Sequence, residues 1–291
     1  MNAFDSLEQL IIHAEEAGLP LWQHIQQADC RRQGISPEES WEKMAALWKA
    51  MVQADESYRE EDRSNSGLVG GDGGKMTRYT QEREADSLCG GFLGQVMAGA
   101  LRMGECNACM KRIVAAPTAG SCGVLPAVLL PYQRRYQTAD ETLIQALYIA
   151  SGFGMVIAAR ASLSGAEGGC QAEVGSAAAM AAAALVFLQG GGNRQMIHAC
   201  AMAVKNLLGL ACDPVGGLVE VPCVKRNVIG AVDALTAAEM ALAGIESRVP
   251  PDQVLDAMRE VGQSLPMGLR ETGKGGLAAT PFGRQYAPEN L

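Results

Sequence analysis

The run VGSAAAMAAAALVFL, residues 174–188, decides the fold that this sequence predicts. It is dominated by alanine, and it is shorter than the about 20 residues that a helix needs to cross a bilayer. A segment that is apolar on every side is typical of a helix at the centre of a protein, and small side chains let neighbouring helices approach closely. We therefore predict a buried helix here, with other helices packed around it.

The sequence on both sides of this run predicts further helices and almost no strands. Runs of valine, isoleucine and tyrosine that alternate with polar residues are nearly absent. Apolar spacing and end signals predict helices at about 81–103, 138–160, 172–189, 195–210, 226–245 and 251–262. The predicted fold class is mostly α, a layered helical domain whose buried helices are rich in glycine and alanine.

The first 62 residues differ from the rest, because they contain few glycines and predict two or three amphipathic helices. Ser36-Pro37-Glu38-Glu39 has the serine N-cap, the first-turn proline and the third-position glutamate of a capping box, and Thr138-Ala139-Asp140-Glu141 follows a similar pattern. Glycine and alanine become frequent after residue 66. We expect an N-terminal packing segment, 1–62, and a main domain, 63–291, that form one compact unit.

Composition and charge favour a small-molecule substrate. Hydrophobic residues make up 48% of the chain and charged residues only 19%. Much of the chain is therefore expected to lie in the interior or in an oligomer interface. The net charge is −8, and no cluster of lysine and arginine accompanies aromatic residues, which argues against nucleic acid and against an anionic membrane surface as partners. The N-terminus lacks the basic region of a signal peptide, so we expect a cytoplasmic protein.

Two glycine-rich stretches have only part of a ligand-binding pattern. GLVGGDGGKM, residues 67–76, has Met76 where a phosphate-binding loop needs serine or threonine, and Val69 where its first glycine should stand. It is either a linker or a place where the backbone approaches a ligand closely. QGGGNRQM, residues 189–196, is either a cradle for pyridoxal phosphate or, as we favour, a helix C-cap followed by a turn.

Nine cysteines occur in a chain expected in a reducing compartment, so we interpret each as a core residue, a metal ligand or a nucleophile. Cys106 and Cys109 form a C-x-x-C that, together with Cys122, could hold a metal or a cluster. Three others fall within helical patterns and are interpreted as ordinary thiols: Cys30, Cys89 and Cys200.

The remaining three cysteines lie at breaks between predicted helices, Cys170 in GAEGGCQAE, Cys212 in LACDPVGG and Cys223 in EVPCVKRN. Glycine and proline keep these breaks irregular, which frees backbone N–H groups to donate to sulfur. From this context alone the three are either unrelated core thiols or ligands of one centre. Three thiolates suit a 4Fe-4S cluster with one iron open to substrate, because a fourth cysteine would close it.

Four longer strings carry a resemblance to a known family. APTAGSCGVLPAVL (116–129), SGAEGGCQAEVGSAAAMAAAA (164–184), CDPVGGLVEVPCVKRN (212–227) and RETGKGGLAATPFGR (270–284) strongly resemble the bacterial iron-sulfur-dependent L-serine dehydratases. The match is to the separate α chain of the two-chain enzymes and covers nearly the whole length. The resemblance implies a mostly helical catalytic domain and an oxygen-labile 4Fe-4S cluster held by Cys170, Cys212 and Cys223.

The resemblance implies β-elimination of water from L-serine, which gives aminoacrylate and then pyruvate and ammonia. An open iron would bind the hydroxyl and carboxylate of serine, and a base must remove the α-proton. Single-chain relatives carry a second domain with a serine- and histidine-containing loop, so we expect a separate β chain to complete the site. Some relatives place a C-terminal cysteine on the cluster. This sequence ends APENL, so we expect the fourth iron to be open.

The substrate is expected to bind at the turn formed by Thr118, Ala119, Gly120 and Ser121, through hydroxyl and backbone N–H groups, with Ser121 also catalytic. The alternative is a tight turn that only starts a helix. Lys274 is expected to pair with the substrate carboxylate or to donate a proton, unless it is a solvated loop lysine.

Two further basic residues, Lys225 and Arg226, follow a proposed ligand and would offset the negative charge of the cluster, unless they belong to a solvated face. His13 and His24 are interpreted as structural or surface histidines and His198 as a structural one, so this chain offers no clear base.

Other functions stay open at this point. The same cysteines could hold zinc or a cluster in a non-catalytic subunit, the substrate could be threonine or cysteine, or the chain could be a pyridoxal-dependent lyase.

Overall fold

A computed structural model describes residues 4–287, which form twelve α-helices and, within that range, no β-strand. An isolated bridge joins Cys212 to Arg270. The mostly α fold is therefore confirmed. The helices are α1 (Leu7–Glu16), α2 (Leu21–Gln33), α3 (Pro37–Glu56), α4 (Asp72–Glu82), α5 (Gly90–Ala108), α6 (Val124–Tyr136), α7 (Asp140–Arg160), α8 (Gly165–Gly168), α9 (Ser176–Leu188), α10 (Asn193–Asn206), α11 (Cys223–Leu242) and α12 (Pro251–Ser264).

Helix α9 is the centre of the fold, as the alanine run predicts. Every residue from Ser176 to Val186 is buried, and the helix packs against α6, α7, α10 and α11. Small residues on both sides keep these helices close. At Gly154 of α7, for example, a Cβ atom would lie only 2.9 Å from the sulfur of Met180 in α9. The small side chains of α9 thus set the distance at which the neighbouring helices pack against it.

Two helices are long and apolar enough to cross a bilayer by length and composition, α7 and the segment Gln171–Leu188 that contains α9. Of the 18-residue apolar stretch in each, 67% of the first and 89% of the second are buried inside the fold. This burial is typical of core helices.

The N-terminal helices pack onto this core. The Ser36 cap is confirmed, because Ser36 Oγ accepts a hydrogen bond of 3.1 Å from the Glu39 N–H. In α3, Trp48 is buried and donates from Nε1 to Asp140 Oδ1 over 2.8 Å, which joins α3 to the start of α7. Leu7, Leu10 and other residues of α1 belong to the same core cluster as α9. The division at residue 62 stays a prediction.

Three predicted details of the secondary structure are wrong. The predicted helix 81–103 is two helices, α4 and α5, because the chain turns between Arg83 and Gly90, where glycine takes φ +64°. Helix α6 was not predicted. Thr138 does not cap α7. Ala139 is the N-cap residue, and the Thr138 carbonyl instead accepts from Gln133.

The glycine-rich stretch at 67–76 is a packed junction rather than a flexible linker. The buried carboxylate of Glu105 accepts from the N–H groups of Asp72, at 2.7 Å, and Gly73, at 3.2 Å, at the start of α4. A Cβ at Gly73 would lie 2.6 Å from the Arg102 side chain. The missing side chains therefore let this backbone approach helix α5 of the same protein.

The stretch at 189–196 ends one helix and begins the next. Gly190, just past the end of α9, takes φ +76°, and the N–H of Gly192 donates to the Gln195 side chain at the start of α10 over 2.8 Å. This arrangement confirms the interpretation as a C-cap followed by a turn.

Enlarging a side chain of α9 should destabilise the fold strongly. Ala182 is fully buried between close helices, so Ala182→Leu has no room for its added atoms and should lower the free energy of unfolding by about 1–3 kcal/mol. Urea denaturation measures this change. The matched control is Ala243→Leu at the exposed end of α11, where a change beyond about 0.5 kcal/mol would contradict the account.

A buried carboxyl in α11 should make stability depend on pH. Asp233 Oδ1 accepts from Asn206 over 2.6 Å, whereas Oδ2 has no hydrogen-bond partner among the described residues. Burial raises the pKa of Asp233 to about 6 from an ordinary value of 3.8.

The folded state thus binds the Asp233 proton more tightly than the unfolded state, and stability falls as pH rises from about 4 to about 6. Asp233→Asn should remove this fall and stabilise the protein at pH 7 by roughly 1–3 kcal/mol. Denaturation at several pH values tests it, and parallel pH curves for the two proteins would contradict it.

Candidate active site

Cys170, Cys212 and Cys223 lie together in the interior, although they come from three separate segments. Cys170 precedes a π-helical segment, Gln171–Gly175, that leads into α9, and Cys223 is the first residue of α11. The three side chains are only 2%, 2% and 6% exposed. The Gln171 N–H donates to the carbonyl of Leu210 over 3.0 Å, which ties the first segment to the second.

The three thiols differ in how readily they lose a proton. A hydrogen bond with Cys212 lowers the pKa of Cys170, and the nearby charge of Arg226 acts in the same direction. The same bond and burial raise the pKa of Cys212 far above its usual value. Burial raises the pKa of Cys223 to about 12. Cys170 thus loses its proton most easily of the three. Cys212 and Cys223 need a nearby positive charge, such as that of a bound metal, to ionise.

Arg226 supplies the buried positive charge beside these thiols. Its guanidinium donates to the Ala211 carbonyl over 2.6 Å and to Asp213 Oδ1 over 2.8 Å, and its charge lies near Cys170. The neighbouring Lys225 is different, because its side chain is 67% exposed and pairs with Asp72 on the surface. Of the two predicted charges, only Arg226 is therefore beside the cysteines, and Lys225 lies on a solvated face.

The RETGKGG stretch is held against the second cysteine. The backbone of Cys212 donates to Leu269 over 2.8 Å and accepts from Glu271 over 2.7 Å. The Asp213 carboxylate, which pairs with Arg226, also accepts from the Leu277 N–H over 2.9 Å. This segment therefore borders the thiol site.

The turn at Thr118–Ser121 also borders the site. Residues Ala119–Ser121 form one turn of 3-10 helix, and Asn227 of α11 holds it by donating to the Gly120 carbonyl and accepting from the Gly123 N–H, both at 2.8 Å. Thr118 is half-buried and Ser121 is fully buried. The Ser121 hydroxyl lies 3.1 Å from the Thr118 hydroxyl, so in this structure it closes its own turn.

Glu173 joins this turn to the thiols, and sequence reasoning missed it. Thr118 Oγ1 donates to Glu173 Oε1 over 2.8 Å, and Cys212 Sγ donates to Glu173 Oε2 over 3.6 Å. Burial, and then the negative charge of Glu271, raises the pKa of Glu173. The available signal was its spacing, since an acid three residues after Cys170 lies on the same side of a helical turn.

Glu173, Cys212 and Glu271 offer ligand atoms that all lie within 4.8 Å of one another. Glycine at position 165 leaves room beside them. A Cβ there would lie 2.7 Å from Glu173 Oε2 and 3.0 Å from Cys212 Sγ. These features fit an iron-sulfur cluster. The three buried thiols can bind its irons, Arg226 offsets negative charge, and Gly165 leaves space beside them.

Lys274 lies in the exposed part of the RETGKGG segment. Its backbone N–H donates to Thr272 Oγ1 over 3.4 Å, and its ammonium group has no ion pair among residues 4–287. Its predicted contact with substrate stays a prediction. The C-terminal residues 288–291, on which the prediction of an open iron depends, lie outside the described residues.

Cys106 of the C-x-x-C and Cys122 behave as core thiols, whereas Cys109 is half-buried. Cys106 Sγ donates to the Ala54 carbonyl over 3.5 Å, and Cys122 Sγ donates to the Met103 carbonyl over 3.9 Å. Burial raises the pKa of Cys106 to about 11 and that of Cys122 to about 12. A thiol that is buried and donates to a carbonyl has no tendency to become a thiolate ligand.

His24 and His198 lie in packing positions, and His13 is exposed on α1. His198 Nδ1 accepts from the Ser247 N–H over 3.3 Å, and His24 packs against Phe4 with ring centroids 5.6 Å apart.

A cavity of about 340 Å³ lies apart from the thiols, between α3 and α7, and Ala116 and Pro117 form one part of its wall.

Comparison with known proteins gives a consistent result. A family model described as "Serine dehydratase alpha chain" matches residues 16–278, which contain all the predicted site residues. The chain is 50% identical over 248 residues to the probable L-serine dehydratase, alpha chain, of Bacillus subtilis, covering 85% of this chain and 82% of that protein. It is 41% identical over 289 residues to the L-serine dehydratase, alpha chain, of Peptoniphilus asaccharolyticus, covering 99% and 98%.

Replacing the two adjacent basic residues should separate a buried charge from a surface charge. Arg226→Met leaves the buried Asp213 unpaired and should lower the free energy of unfolding by about 3 kcal/mol. Lys225→Met removes an exposed ion pair and should cost less than about 1 kcal/mol. Urea denaturation of both variants, without metal, measures the difference. Equal losses would show that Arg226 is not held as described.

Proposed function

The chain belongs to the serine dehydratase alpha chain family, and on that premise we propose that it removes water from L-serine at a 4Fe-4S cluster. Cys170, Cys212 and Cys223 would hold three of the irons. The observation that carries this proposal is the convergence of three buried thiols from separate segments around Arg226 and next to the Thr118–Ser121 turn. The products would be pyruvate and ammonia.

When bound, the cluster would supply an open iron that acts as a Lewis acid toward the hydroxyl and carboxylate of serine. The residues of this chain have other tasks. The turn from Thr118 to Ser121, including Ala119 and Gly120, would bind the substrate through N–H and hydroxyl groups. Ser121 would in addition act on the substrate once the turn opens its hydroxyl. Lys274 would pair with the substrate carboxylate or donate a proton at the edge of the site.

We propose that a separate β chain supplies the base that removes the α-proton. The relatives from Bacillus subtilis and Peptoniphilus asaccharolyticus are themselves named as alpha chains. Among the described residues, His24 and His198 make packing contacts with Phe4 and Ser247, and His13 is exposed on α1. Glu271 and Lys274 are exposed beside the thiol site, so a partner that covers this edge would reach the substrate.

All nine cysteines are free thiols, which suits the reducing cytoplasm that we propose for this chain. The alternative function is a subunit that binds metal only for structure. The grouping of Glu173, Cys212 and Glu271 within 4.8 Å favours it, because a single divalent ion could bind there.

The decisive experiment is anaerobic purification followed by metal analysis and a serine assay, with and without the β chain. We expect brown protein with about four irons and four sulfides per chain and pyruvate formation that requires the β chain. Threonine and cysteine are tested as competing substrates, and borohydride tests for a pyridoxal adduct. Colourless protein that contains one zinc would refute the cluster and support the structural alternative.

Cys212→Ser should abolish both iron retention and turnover, because it removes one of the proposed ligands. The matched control is Cys106→Ser, which changes a buried thiol that donates to Ala54 and should leave both properties largely intact. Iron content and pyruvate formation measure the outcome. If the two variants exchanged behaviour, the C-x-x-C would be the metal site instead.

A further inference from the structure

We propose that Glu173 is a positioning residue that couples the Thr118–Ser121 turn to the cysteine site. The inference rests on the proposed function only for the identity of the substrate that the turn would bind. The coupling itself is a property of this chain without any ligand.

The turn is held from two sides, and Asn107 of α5 is a further anchor that donates to the Ala119 carbonyl over 3.2 Å. On one side Asn227 of α11 accepts from Gly123 and donates to Gly120, each at 2.8 Å. On the other side the Thr118 hydroxyl donates to Glu173 Oε1 over 2.8 Å. Without Glu173, the first residue of the turn would keep only its short contacts to Ser121 within the turn. Glu173 therefore sets where the Thr118 end of the turn lies.

The second oxygen of the same carboxyl group faces the thiols. Cys212 Sγ donates to Glu173 Oε2 over 3.6 Å. Each oxygen thus has a different partner, and a shift of either partner must move the carboxyl group. In the metal-free chain one carboxyl group thus connects the proposed substrate turn to Cys212, and its contact to Thr118 does not depend on the Cys212 proton.

Two glycines leave the space that this carboxyl group occupies. A Cβ at Gly120 would lie 3.1 Å from Oε1, and a Cβ at Gly165 would lie 2.7 Å from Oε2. Glu173 is also only 8% exposed. A buried carboxyl group is costly unless its oxygens are hydrogen-bonded, so its two contacts are the reason it is tolerated here.

This geometry predicts a specific division of effects. Removing the side chain of Glu173 leaves Cys170, Cys212 and Cys223 in the chain, so iron should still be retained. The turn, however, loses the anchor at its Thr118 end and keeps only those from Asn227 and Asn107. Substrate affinity should therefore suffer more than cluster content, which a purely structural role in the metal site would not produce.

The first measurement uses the metal-free chain and needs no activity. In Glu173→Ala, hydrogen exchange of the Ser121 and Cys122 amides, which donate to Thr118 and Ala119, should accelerate about fivefold, as expected for the loss of one hydrogen bond. Glu173→Gln keeps a carbonyl oxygen that accepts from Thr118 and should restore near wild-type exchange. Thr118→Val should match Glu173→Ala, and the double variant should be no faster than either.

The second measurement uses the cluster-loaded α chain with its β chain. Glu173→Ala should raise the KM for L-serine at least about fivefold with iron content unchanged, and Glu173→Gln should recover most of the loss. The matched control is Glu105→Gln, a buried glutamate that caps α4, which should lower stability but leave KM and the exchange of the turn unchanged.

The proposal is overturned if the turn exchanges normally in Glu173→Ala, or if Glu173→Gln fails to rescue it. Loss of iron in Glu173→Ala with normal exchange would instead make Glu173 a part of the metal site alone. Because exchange is measured without ligand, a failure of the proposed function would appear separately, as a wild-type protein that does not act on serine.

Discussion

The arrangement of the site depends on the contacts of one largely buried group, the guanidinium of Arg226. It lies one turn after Cys223 in α11, and it binds the Ala211 carbonyl and the Asp213 carboxylate on either side of Cys212. Its positive charge also lies near Cys170, in the remaining segment. A charge in the interior is tolerated only with such partners, so the three segments are held in one arrangement by the same requirement.

The alanine-rich core gives this arrangement a rigid support. Helix α9 packs against α11 over a surface of small residues, and Cys170 and Cys223 stand near the N-terminal ends of these two elements. Close packing of the helices therefore keeps the two cysteines near each other. An N-terminal helix end carries a partial positive charge, which favours a thiolate there. The small residues of the core thus help to position two of the cysteines of the site.

The sequence predicted what depends on local pattern and missed what depends on distant contacts. The alanine run predicted the central helix, whereas the local pattern left Cys170, Cys212 and Cys223 as either core thiols or ligands, and only the family resemblance assigned them to one centre. Glu173 was missed because its importance comes from Thr118, 55 residues away. Equally, no local pattern could distinguish Arg226 from Lys225, because one faces the interior and the other the surface only in the folded helix. The end of α4 at Arg83 depends likewise on a turn that helical periodicity does not reveal.

The charges around the site bear on how an amino acid would be bound. Three thiols, Glu173, Asp213 and Glu271 surround it, whereas Arg226 is the buried cation and is already paired with Asp213. Such a surface attracts an ammonium group and repels a carboxylate, so on the proposed function the substrate carboxylate depends on the N–H groups of the Thr118–Ser121 turn, on Lys274 and on the metal.

Glu271 and Lys274 lie on the exposed edge, where water weakens every one of these attractions. A β chain over this edge would therefore do more than supply a base. By excluding water it would strengthen the attraction between the substrate and the groups that this chain already holds in place.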